Sequence, residues 1–106
     1  MMEKPNLNYV NNLSGDDKDL KELLIDVIKT EFPEEKKKYY QSYYNKEFKK
    51  IEENVHRLKH KISILGLEKS YEIANEYEHN LRVKSIDKSD DFDIILLVIT
   101  EYLKTV

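Results

Sequence analysis

His56 and Lys59 stand three residues apart in Val55-His56-Arg57-Leu58-Lys59-His60, and they make the most definite chemical offer in the chain. An imidazole is available in its neutral form near pH 7 and is nucleophilic without a helper base. An ammonium one helical turn further on can neutralise phosphate oxygens. The pair therefore suits acceptance of a phosphoryl group at a ring nitrogen of His56, with Lys59 stabilising the phosphate. On a helical wheel of about 100° per residue, Phe48, Ile51, Val55, Leu58, Ile62 and Leu65 fall within one narrow arc. That 3-4-3-4-3 spacing is the seam of a helix packed against others. His56 lies about a third of a turn from this arc and points outward. Glu52, His60 and Ser63 share its side, and Lys59 sits between His56 and the seam. Glu52 and Ser63 are candidates to orient the ring or bound a docking face that also carries His60. The plainer alternative is a solvated histidine on a charged helix face.

Leu58, Lys59 and Gly66 follow His56 by two, three and ten residues. This pattern resembles the active-site segment of histidine phosphotransfer (HPt) domains, helical bundles whose single exposed histidine carries a phosphoryl group between response-regulator receivers. The resemblance extends from about Leu7 to the C-terminus. It implies a phosphorelay carrier that accepts a phosphoryl group from a receiver aspartate on His56 and passes it to another receiver. The partners so implied are receiver domains and a hybrid histidine kinase. The receiver would supply Mg²⁺, and the chain would hold no cofactor and have no autonomous kinase activity. His60 departs from the pattern, standing where the family usually has glycine, so a second imidazole narrows the hollow beside the reactive ring. The alternative is a non-catalytic module that binds a receiver or another helix.

Other chemistries find less support. His56 and His60 have the i, i+4 spacing that can clasp a transition metal, but two imidazoles make half a site. Glu52 or Glu53 would have to complete it, and no metal is expected. There is no cysteine, so disulfides and thiolate metal sites are excluded. No phosphate-cradling loop, hydroxyl-nucleophile motif or dinucleotide fingerprint occurs. Adjacent carboxylates such as Glu34-Glu35 and Glu52-Glu53 read as solvated charge. A formal charge of −3 argues against nucleic acid, and the basic run Lys36-Lys37-Lys38 follows Glu34 and Glu35 directly. Residues 1–12 form no hydrophobic signal segment, and the apolar run Ile94–Ile99 is too short for a bilayer. A cytoplasmic monomer without membrane contact is the expectation.

The elements that must position His56 follow from the same reading. With 106 residues, 37% charged, and only two glycines and two prolines, the chain fits a single all-α domain. The expected architecture is an antiparallel four-helix bundle with a short N-terminal capping helix. Its helices would cover roughly residues 7–13, 16–44, 46–65, 68–83 and 90–104. Pro33 should kink or break the second. Leu7, Val10 and Leu13 would turn inward from the first, and Leu20, Leu23, Leu24, Val27 and Ile28 from the second. Two of the four tyrosines among residues 39–44 should enter the core. Asn45 and Ser89 would cap the third and last helices, and Gly66 would stop the third in a left-handed conformation. The fourth would turn Tyr71, Ala74, Tyr77, Glu78 and Leu81 to one side. For Ile94–Ile99 a β-strand competes with a buried helix.

Overall fold

Ser14-Gly15-Asp16-Asp17 turns the chain as its small and acidic residues suggest. Gly15 takes a φ of 57°, and the Asp17 side chain accepts a hydrogen bond from Leu20 N at 3.0 Å, capping the helix that follows. The structure, a computed structural model, describes residues 3–106; Met1 and Met2, the start of the N-terminal polar stretch, lie outside it. It contains α1 (Asn8–Ser14), α2 (Lys18–Tyr44), α3 (Phe48–Ile64), α4 (Glu68–Arg82) and α5 (Ser89–Leu103). The described residues form no strand, and Ile94–Ile99 is helical.

Pairings across the helices fix their directions. Asn54 of α3 donates to Ser42 Oγ of α2, while Lys61, further along α3, reaches back to Glu31 and Glu35 of α2. His56 meets Glu78 and Lys59 meets Asn75, so α4 runs antiparallel to α3. Tyr40 bonds Asp93 and Lys36 bonds Thr100, which sets α5 antiparallel to α2. Helix α1 packs on α2.

One continuous core lies between the four long helices. It takes Ile28, Phe32 and Tyr39 from α2, the whole stripe Ile51, Val55, Leu58 and Ile62 from α3, and Phe92, Ile95, Leu96 and Ile99 from α5. Helix α4 contributes Ala74, Tyr77 and Leu81, the small Ala74 lying fully buried. Tyr39, Tyr77 and Phe92 cluster, with the Phe92 ring centroid 5.1 Å from Tyr39 and 5.2 Å from Tyr77. The buried hydroxyls of Tyr39 and Tyr77 share a hydrogen bond of 2.7 Å. Each phenol thereby satisfies the other, which permits two polar groups in an otherwise apolar layer.

Several local expectations are corrected. Pro33 does not break α2, which continues through it. The proline is exposed, so water can replace the donor that Lys29 O loses. Leu13, Leu23 and Val27 are exposed rather than inward. The inner stripe of α2 steps by four through Leu24, Ile28 and Phe32, which leaves Leu23 and Val27 on its flank. Only Tyr39 of the four tyrosines is fully buried; Tyr40 and Tyr43 pack at the core margin, and Tyr44 is exposed. Asn45 closes α2 instead of opening α3, whose N-cap is Glu47. Lys88, at a left-handed φ of 80°, precedes α5, and Ser89 is its first residue.

Gly66 takes the left-handed conformation, φ 75°, at the end of α3. Its N–H donates to Ser63 O and the Leu67 N–H to Ile62 O, the paired bonds of a Schellman stop. The N-terminal segment crosses this turn. Asn6 N donates to Leu65 O at 2.8 Å, and Ser70 N, in the first turn of α4, donates to Glu3 Oε1 at 2.6 Å. The Asn6 side chain lies against Gly66, where a Cβ would collide with it. Gly66→Ala is therefore expected to cost about 1–2 kcal/mol from the left-handed backbone alone. Displacing Asn6 adds to that. Urea unfolding against the parent chain measures the loss.

Candidate functional site

Helix α3 buries Val55 and Leu58 completely, and this forces the intervening His56 outward. Its side chain is 58% exposed. One face of the ring's hydrogen-bonding capacity is nevertheless anchored. His56 Nδ1 lies 3.0 Å from Glu78 Oε1 and 3.3 Å from Oε2. Glu78 is buried on the inner side of α4, one position from Tyr77.

The carboxylate is held from behind as well. Lys59 Nζ sits 3.2 Å from Glu78 Oε1, donates to Asn75 Oδ1, and stands 5.2 Å from the centre of the Tyr71 ring. Lys59 is itself buried, its aliphatic stem covered and its ammonium fully engaged. A line of three groups, Lys59, Glu78 and His56, thus runs from the interior to the surface. Burial pushes the Glu78 carboxyl up, but hydrogen bonds from His56 and Lys59 outweigh it and hold the group below its ordinary value. Glu78 is accordingly a carboxylate at neutral pH. A carboxylate only accepts, so the proton of neutral His56 belongs on Nδ1. The lone pair is left on Nε2, facing solvent. That is the nucleophilic tautomer, oriented by a buried partner.

Around the ring, Glu52 Oε2 accepts from Arg82 Nε at 2.8 Å, and both line the open cleft in which His56 and Glu78 meet. Arg57 and Lys49 add positive charge to its rim. His60 is exposed on the next turn, its ring centroid 5.1 Å from that of His56 and its plane inclined by 72°. Ser63 is exposed further along α3 and does not line the cleft. Of the residues singled out from sequence, Glu52 lines the same cleft as His56 and His60 abuts the His56 ring, whereas Ser63 lies outside the cleft. Lys59 lies behind Glu78 rather than free beside the ring.

Glu78 and Arg82 carry no motif in the sequence, although the spacing of α4 sets Glu78 on its inner side. Counting outward from the Gly66 turn sets residue 78 opposite residue 54, two short of His56, and an acid on an inward stripe demands a partner. His79, one residue on, is exposed on the other side of α4. Among the described residues no group of three or more histidines and carboxylates is arranged to hold a metal. No helix among them is long and apolar enough to cross a membrane. No family model, curated protein or solved structure matches the chain.

Proposed function

We propose that this chain is a phosphohistidine carrier of the HPt type, an antiparallel four-helix bundle with a short N-terminal capping helix. The observation that carries the reading is the orientation of His56: half-exposed, its Nδ1 tied to a buried carboxylate, its Nε2 free. A receiver domain bearing an aspartyl phosphate docks over the His56 face. The Nε2 lone pair attacks phosphorus in line, the phosphorus–oxygen bond to the aspartate breaks, and the electron pair returns to that carboxylate. No proton has to leave His56, because Nδ1 keeps its hydrogen on Glu78. The receiver contributes Mg²⁺ and most of the charge stabilisation. Lys59 acts first on Glu78, and a phosphoryl group on Nε2 draws on the positive charge of Arg57 and Arg82 at the rim. Transfer to a second receiver reverses the steps. The upstream donor in this reading is a hybrid histidine kinase, and the carrier works as a cytoplasmic monomer without nucleic acid.

The test is incubation with a panel of receiver domains charged by acetyl phosphate. The expected result is an acid-labile, base-stable label on the chain, abolished by His56→Gln and kept by His79→Gln. A label that survives His56→Gln but disappears with His60→Gln overturns the assignment. The His60 ring, standing beside His56, favours a second reading in which receivers bind without transferring phosphate. Stable association with no label at all would select it.

A further inference from the structure

The two exposed imidazoles of α3 have their ring centres at a separation compatible with both binding a single ion. Two imidazoles bound to one tetrahedral metal have their ring centres about 5.2 Å apart, from a metal–nitrogen length of about 2.0–2.1 Å and about 1.1 Å from nitrogen to ring centre. His56 and His60 stand 5.1 Å apart as they are, with no ligand between them. Sequence spacing alone cannot supply this, because i, i+4 histidines on a helix are free to splay apart.

The second observation is Glu78. A metal-bound histidine characteristically donates its other ring nitrogen to a carboxylate or carbonyl, which fixes the tautomer and makes the ligating nitrogen more basic. His56 already makes that contact through Nδ1 at 3.0 Å. Its Nε2 therefore keeps a lone pair in place, and the exposed His60 ring lies beside the same imidazole. Lys59, the nearest cation behind the pair, is neutralised by the same carboxylate.

We infer that His56 and His60 form a two-imidazole site for a transition-metal ion of the Zn²⁺, Ni²⁺ or Cu²⁺ class, with Glu78 as the outer partner of His56. Water fills the remaining coordination positions, so the ion exchanges readily and a chelator removes it. Hard ions such as Mg²⁺, which prefer oxygen ligands, are excluded. One consequence rests on the phosphocarrier reading: the ion takes the Nε2 lone pair that a phosphoryl group would need, so the two are mutually exclusive.

Binding is tested on the intact chain without any phosphoryl donor, by titration with NiSO₄ and with ZnSO₄ followed by calorimetry and by histidine side-chain NMR. One ion per chain is expected, with the His56 and His60 ring signals moving and that of His79 still. His60→Ala, a surface change, should weaken binding by about tenfold or more, since it removes one of two protein ligands. His79→Ala should leave it unchanged. Absence of binding at millimolar metal overturns the site, as does full affinity in His60→Ala or loss of affinity in His79→Ala. Failure of the phosphocarrier reading shows separately, as a chain that binds metal and never takes label. If the chain does take label, Zn²⁺ should slow labelling of the unmodified chain but not of His60→Ala, and equal slowing of both refutes the competition.

Discussion

Glu78→Ala is expected to cost about 3 kcal/mol of folding stability, the low end of the penalty for breaking a buried ion pair. The penalty arises because Lys59 remains buried with its charge uncompensated, Asn75 being neutral. It stays at the low end because half-exposed His56 lets water reach the cavity. Lys59→Met should be destabilising for the converse reason, since a buried carboxylate loses its ammonium. The double variant should be far more stable than the sum of the two losses implies, since neither buried charge is then left without its partner. Urea unfolding of the four proteins at pH 7 measures the coupling, and strict additivity would mean that the two groups do not act as a pair.

Acid should erase much of this difference. Glu78 is held below its ordinary value of 4.5 in the folded chain. Its contribution is thus complete above that ordinary value and disappears as pH falls through the lower folded value. The gap between the parent chain and Glu78→Ala should narrow over that acid range. A gap that stays constant to the lowest pH would contradict the assignment.

Tyr77→Ala is expected to cost about 3–5 kcal/mol, as for other large aromatic truncations in a packed core. Tyr77→Phe isolates the hydroxyl. It strands the Tyr39 phenol without its partner at 2.7 Å, which costs about 1–3 kcal/mol. Adding Tyr39→Phe removes the stranded group and should recover part of that loss. Alkali provides an independent readout. Burial chiefly pushes the Tyr77 phenol up to about 12, even though the hydrogen bond from Tyr39 works the other way, and Tyr39 is raised further. A phenol whose folded value exceeds its unfolded value of 10.0 contributes fully below pH 10. That contribution is lost as pH rises from there towards the folded value. The parent chain should lose stability above pH 10 more steeply than the doubly substituted one.

Much of the molecule is legible from spacing alone, and what is not has a common cause. The α3 seam declares itself because its apolar residues repeat without interruption, and the outward place of His56 follows, though the burial of Lys59 and Lys61 does not. Helix α2 is harder: Leu23, Leu24, Val27 and Ile28 are equally apolar, and only the position of its neighbours decides that Leu24 and Ile28 go in. Pro33 illustrates a rule overridden, since an exposed proline in a long helix costs one hydrogen bond that water can replace. Asn45 and Ser89 have capping side chains but sit one or two residues from where the chain turns. Glu78 is the instructive case. Its place on the inward stripe of α4 demands a partner, but its role is created by His56 and Lys59 arriving from another helix. A site made of contacts between helices is read from sequence only as far as register can be counted across the turn.

The crossing of the N-terminal segment over the α3–α4 turn has a kinetic corollary. The bond between Glu3 and Ser70 joins residues 67 apart in the chain, whereas the α3–α4 hairpin closes over a few residues at Gly66. Long loops close late in folding, because their entropy is surrendered before any contact repays it. The hairpin carrying His56 should therefore assemble first, and the N-terminal clasp should settle on it afterwards. In the native state the order reverses. The clasp can lift away while the core stays shut, so the Ser70 amide should exchange with deuterated solvent through a local opening, far sooner than amides in the middle of α3.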